Sequence, residues 1–173
     1  MIGKAQVLWR DAGPHDAETL SAIGRQSFVE TFGHLYSPEN LALFLENHEP
    51  EKWAAELADP RFAVRLGFVD GANAAYVKLG PPSLPFTPPS GSIELRQFYV
   101  LRPWQGAGLA PEMMEWVLAE SRGRGAAAVY LSVFTENIRA QRFYNRYGFE
   151  PVGRYDFMVG DHADEDIVMR RAL

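Results

Sequence analysis

Gln105-Gly106-Ala107-Gly108-Leu109-Ala110 crowds small residues where an apolar stretch gives way to a helix-patterned one. The first N–H groups of a helix have no partner inside it, and the helix dipole adds partial positive charge at that end. A turn of small residues placed there makes a binding site for phosphate. Two phosphate loops are excluded by their own requirements. The dinucleotide pattern Gly-x-Gly-x-x-Gly would need a small third residue where Pro111 sits, and the P-loop needs a closing Gly-Lys-Ser/Thr that is absent. What remains is Gln105-x-x-Gly108-x-Ala110. No Gly-x-Ser-x-Gly elbow is present, no His/Asp/Glu cluster has metal-ligand spacing, and there is no cysteine for a thiolate nucleophile or metal site.

The elements that must position this turn follow from periodicity. Ile93 to Leu101 reads as a half-buried strand, and Leu109, Met113, Trp116 and Val117 give the next segment one apolar helical face. Ala127 to Phe134 is the following strand. This strand–helix–strand unit implies a parallel pair with a right-handed crossover. Asn137 to Tyr147 is a further helix, with Ala140, Phe143, Tyr144 and Tyr147 on one stripe and Gly148 as its C-cap. Phe149 to Val159 and Asp166 to Arg170 are strands, and the acidic run Asp161 to Asp166 reads as a solvated hairpin turn, with attraction of a polycation as the alternative. Upstream, Ala5 to Arg10 is a strand. A helical region opens at Pro14, Ser37-Pro38-Glu39 starts another helix, and a third holds Trp53 and Leu57. Phe62 to Val69 and Ala74 to Leu79 form a hairpin about Asp70-Gly71. Residues 80–91 carry five prolines and read as a surface loop. The expected architecture is a single α/β (α+β) domain over residues 1–173. Its sheet is mixed, mostly antiparallel, of six or seven strands around a central parallel pair, with helices on both faces.

Composition narrows the function. At 173 residues and 47% hydrophobic content the chain can build a sizeable core. Net charge of −5 argues against nucleic acid as a partner. No apolar run is long enough for a membrane span and no signal-peptide core is seen, so a cytoplasmic location is expected.

Two motifs in order carry a resemblance. Gln105-x-x-Gly108-x-Ala110 is similar to the pyrophosphate turn Gln/Arg-x-x-Gly-x-Gly/Ala of the GNAT superfamily of acyl-CoA-dependent N-acetyltransferases. Asn137-Ile138-Arg139-Ala140-Gln141-Arg142-Phe143-Tyr144, then Tyr147-Gly148-Phe149, resembles that family's Asn-x-x-Ala-x-x-Phe-Tyr…Gly-Phe segment. Within the family the chain looks most like the PaiA-type polyamine acetyltransferases, through Phe28-Val29-Glu30-Thr31-Phe32, Ser37-Pro38-Glu39-Asn40, Tyr76-Val77-Lys78 and Phe157-Met158-Val159-Gly160-Asp161.

The resemblance implies acetyl transfer from acetyl-CoA to a primary amine such as spermidine, by direct attack in a ternary complex without a metal. It implies coenzyme A contacts at Phe98, Tyr99 and Val100, at Gln105, Gly106, Ala107, Gly108, Leu109 and Ala110, and at Asn137 and Tyr144. A bulge in the Phe98 strand would part it from the strand ending at Phe134, a feature the sequence itself does not reveal. Tyr144 is the expected general acid, a phenol of pKa near ~10 that stays protonated at neutral pH and can donate to the departing thiolate, of pKa near ~8.5; by periodicity alone it reads as a core tyrosine. Asn137 is also a good helix N-cap. Glu94 is the expected general base, or else an ion-pair partner of Arg96. Glu30, His34 and Tyr36 are expected to meet the acceptor, and Arg102, Arg139 and Arg142 lie near the phosphate motifs. Monomer and homodimer stay open. A protein or peptide N-terminal acetyltransferase and a non-catalytic acyl-CoA sensor are the competing functions.

Overall fold

Leu109, Met113, Met114 and Val117 are each at most 1% exposed, and they lay one helix, α4 (Leu109–Gly123), flat against a sheet. The spacing of these residues creates that apolar stripe, and burying each contributes roughly 1.5–3 kcal/mol. The computed structural model describes residues 6–173. The expected first strand therefore begins, at Ala5, outside the described residues, and its observed part is β1 (Leu8–Asp11). Then come α1 (Ala17–Phe32), α2 (Pro38–Leu45), α3 (Pro50–Ala58), β2 (Ala63–Val69), β3 (Ala72–Gly80) and β4 (Ser92–Val100). After α4 follow β5 (Ala128–Phe134), α5 (Ile138–Arg146), β6 (Glu150–Val159) and β7 (His162–Ala172).

The seven strands form one sheet in the order β1-β2-β3-β4-β5-β7-β6, antiparallel everywhere except the central β4–β5 pair. One face of the sheet packs on α4 through Val77, Leu79, Leu95 and Leu131. The other packs on α1 and α3 through Val64, Leu66 and Tyr76, against Leu20, Ile23 and Trp53. Asp70 and Gly71 both take positive φ, 50° and 79°, as the two-residue hairpin turn requires. Ser37 caps α2 by accepting the Asn40 N–H at 3.1 Å, with Pro38 following. No helix among the described residues is long and apolar enough to cross a membrane.

One expected boundary is corrected. The strand expected at Asp166 to Arg170 is β7, which already begins at His162, so the turn before it is only Gly160-Asp161. The acidic run is thereby mostly strand, and Asp164 and Asp166 are buried at 8% and 7% exposure instead of solvated. Period-two alternation puts both on one face with Val168.

The central pair carries the irregularity that matters most. Leu79 faces Leu95 and Lys78 faces Gln97, so Arg96 is an extra residue bulged out of the β3–β4 ladder. Pairing between β4 and β5 covers only Ser92–Glu94 against Ala128–Tyr130. Beyond it the two strands part, each held on its far side, β4 by β3 and β5 by β7.

Two measurements test this framework. Met114→Ala should cost ~2–5 kcal/mol in urea unfolding, because the side chain has no exposed surface and its removal leaves a cavity. His48, between α2 and α3, is buried with Nδ1 unpartnered, and burial, aided by Lys78 and Arg25, pushes its pKa down to about 4. The unfolded imidazole takes a proton near ~6.5 and the folded one does not, so stability should fall as pH drops from there toward 4, by at most about 3 kcal/mol. Thermal melts of His48→Gln should lose that part of the acid sensitivity.

Candidate active site

The parting of β4 and β5 opens a cleft of about 960 Å³ that runs through the sheet. Its walls are the free edges Leu95–Val100 and Leu131–Phe134, so unpaired backbone donors and acceptors face each other across it. One end is lined by Gln105, Gly106, Gly108, Leu109, Ala110 and Pro111 with Asn137, Ala140, Phe143 and Tyr144 from α5. The other end is lined by Phe28, Phe32, Tyr36 and Phe44 and by Glu94, Ser132, Tyr155, Phe157, Asp164 and Asp166.

At the first end Gly106 and Gly108 adopt left-handed backbone, with φ of 80° and 89°, and Gly108 is the N-cap of α4. A Cβ on Gly106 would meet nothing within 4 Å, so its φ is what calls for glycine. Ala107 N–H is spent on Trp104 O at 3.2 Å, and its side chain is buried in the core instead of lining the cleft. Gln105 Nε2 donates to Val100 O at 3.0 Å and ties the turn to the end of β4. The N–H groups of Leu109 and Ala110 begin the helix and have no partner within it. Asn137 caps α5 by accepting the Ala140 N–H at 3.2 Å, and it also lines the cleft. Arg139 and Arg146 lie at this end, whereas Arg102 is held by Glu30.

Tyr144 is 9% exposed and packed by Phe98, Phe143 and Phe149. Burial first, and the neighbouring Tyr99 second, hold its phenol well above the usual range. It is therefore both the core tyrosine that periodicity suggests and a cleft residue.

At the second end the expected residues divide. Glu94 is 6% exposed, and Ser83 of the proline-rich loop holds it, donating N–H at 2.8 Å and O–H at 3.1 Å to Oε1. Its expected alternative, an ion pair with Arg96, is not formed, because Arg96 donates to Pro81 O and lies over the Phe62 ring. The loop thus lines the cleft through Ser83 and Leu84. Tyr36 faces the cleft and donates to Asp164 Oδ2. Glu30 does not: its carboxylate accepts from Arg102 N–H at 3.1 Å and from Gln26 at 3.1 Å, outside the cleft lining. His34 is exposed in the turn after α1 and likewise stands apart. Helix α1 turns Glu30 away, since only one stripe of it, including Phe28, faces inward.

Sequence reasoning missed Ser132 and Tyr155, and it favoured a solvated turn for the run that holds Asp164 and Asp166. Asp164 accepts from Tyr36 and meets His162 Nε2 at 3.1 Å. Tyr155 O–H donates to Ser132 Oγ at 3.1 Å. Burial pushes Asp166 up to about 7, helped by the charge of Asp164 and partly offset by Ser132. The available signal was the alternation through Asp164, Asp166 and Val168, which the surrounding charged residues masked.

Comparison with known proteins decides the family. The model of the acetyltransferase (GNAT) family matches residues 25–149. An uncharacterized N-acetyltransferase of Mycobacterium tuberculosis is 34% identical over 159 residues, 91% of this chain and 98% of that one. The chain belongs to the GNAT family of acetyltransferases. It is an acyltransferase that uses acetyl-CoA, and its GNAT fold agrees with a solved relative. The PaiA N-acetyltransferase of Thermoplasma acidophilum, crystallised with coenzyme A, superposes with a TM-score of 0.79 at 18% identity over 97% of this chain and 99% of that one. A spermine/spermidine N(1)-acetyltransferase of Bacillus subtilis is 33% identical over 69 residues only, 39% of this chain and 45% of that one. The residues present fit coenzyme A: left-handed glycines, free helix-start N–H groups and arginines stand at one end of the cleft, suited to its phosphates.

Gly108→Ala tests that end. An L-residue at a φ of 89° costs ~1–2 kcal/mol, or relaxes by withdrawing the turn. Calorimetric titration should give coenzyme A affinity lowered roughly tenfold, with an unchanged far-UV spectrum.

Proposed function

We propose that this GNAT enzyme acetylates a primary amine and that its acceptor is a small polyamine such as spermidine. The observation that carries the reading is the second end of the cleft, where Glu94, Asp164 and Asp166 lie among Phe28, Phe44, Tyr36 and Phe157. Carboxylates attract ammonium groups, and aromatic faces attract cations and bury methylene chains. The partial likeness to a spermine/spermidine acetyltransferase adds support. The proline-rich loop, packed in by Ser83 and Leu84, narrows this end and favours a small amine over an extended peptide.

Acetyl-CoA supplies an activated thioester; the chain supplies the rest. Gly106, Gly108, Leu109 and Ala110 hold the pyrophosphate through backbone N–H groups. Asn137 and the free edge at Phe98, Tyr99 and Val100 hold the pantetheine arm and set an N–H near the acyl oxygen. Tyr144 stays protonated at neutral pH, and because burial makes it a weaker acid its proton passes to the departing sulfur only as a proton of the attacking nitrogen replaces it.

Mass spectrometry of reactions with acetyl-CoA and a panel of spermidine, spermine, monoamines and short peptides checks the acceptor. Acetylated polyamine is expected, and modification of peptides alone overturns the polyamine reading. Tyr144→Phe should lower kcat by ~10²–10⁴, and a loss within about twofold removes the acid role.

A further inference from the structure

Of the three carboxylates in the acceptor end, two are held on both oxygens. Both oxygens of Glu94 face Ser83, at 2.8 to 3.3 Å. Asp164 accepts from Tyr36 on one oxygen and meets His162 on the other. Asp166 is the third, more than nine-tenths buried, lining the cleft and met by the Ser132 hydroxyl. Its register partner on β5 is Phe134, on the stretch of that strand that has left β4. It therefore stands at the opening through which the thioester must be met. Its charge, with burial, raises the pKa of Tyr99 on β4, across the cleft.

We infer that Asp166, and not Glu94, takes the proton from the acceptor ammonium. The inference rests on the amine-acetylation reading given above. An ammonium R–NH3+ gives one proton to the Asp166 carboxylate. The resulting R–NH2 forms the C–N bond as the C–S bond breaks. The second proton lost by nitrogen replaces the one that Tyr144 passes to sulfur, and Asp166 returns its proton to solvent.

The surroundings suit the role. Asp164 lies on the same strand, Tyr155 on β6, Ser132 on β5, Tyr99 on β4, and Tyr36 beyond α1. No cation is among the groups that shift Asp166, so burial and the fixed negative charge of Asp164 push it up to about 7. A base so placed is ionised in part at neutral pH and strong enough to compete for an ammonium proton.

The test pairs a titration with a rate profile. Carbon-13 NMR of protein labelled at the aspartate carboxyls should show one carboxyl titrating near pH 7; it should vanish in Asp166→Asn and persist in Glu94→Gln. With acetyl-CoA and spermidine, Asp166→Asn should lower kcat/KM by ~10²–10⁴ and abolish the acidic limb of its pH profile, whereas Glu94→Gln keeps that limb. Asp166→Asn should also melt at a higher temperature than wild type at pH 8, because it removes a buried charge, and the gap should shrink at pH 5. A merely structural aspartate would move the melting point and leave the limb in place. The inference fails if no aspartate titrates above about pH 5, or if Asp166→Asn retains the limb with activity within about twofold. If the wild-type protein acetylates no amine, the functional reading fails instead, and an absent titration near neutrality then overturns the base assignment by itself.

Discussion

A parallel strand pair that stops pairing after three residues sets everything else in this molecule. Backbone N–H and C=O groups out of water need partners. The free edges of β4 and β5 therefore form a standing demand for a ligand with amide groups of its own. Each strand is anchored on its far side, β4 by β3 and β5 by β7, and the bulge at Arg96 turns the end of β4 away, so the edges stay apart. Arg96 is fastened as well, donating to Pro81 O at 2.9 and 2.6 Å. One inserted residue thus opens the sheet and pins the loop that roofs the opening.

The opening separates two electrostatic environments. Glycine conformations, a helix N-terminus and arginines make one end hospitable to phosphate, while the other gathers buried carboxylates. Burying acidic groups side by side is a stability cost, visible in the raised pKa of Asp166. The aromatic packing of Phe28 against Phe44, with centroids 4.0 Å apart, and the tie from Tyr36 to Asp164 hold this end together against that cost.

The helical half of the site was legible in the chain because its signals are local. Gly108, the stripe of α4, the Asn137 cap and Gly148 each follow from short-range periodicity or backbone conformation, and all stand where expected. The bulge was not legible, since Arg96 looks like any strand residue and its displacement is decided by pairing with β3. The other end of the cleft was less legible. Glu30 and His34 have suitable chemistry but face away from the cleft, while Asp164 and Asp166 looked like turn residues and are buried strand. Long-range pairing decides such facing, and a run of charged residues conceals a period of two.

The two ends of the cleft also come from different parts of the chain. The phosphate turn, α4 and α5 lie between residues 105 and 146, while most of the acceptor end comes from α1, α2, β6 and β7 on either flank. Variation in the flanks can therefore reshape the chamber without touching the coenzyme grip. Under the proposed function the molecule is, for an engineer, a fixed acetyl-donor chassis with an exchangeable receiving port. A library confined to Phe28, Tyr36, Phe44, Tyr155 and Phe157 would explore new amines at constant donor chemistry.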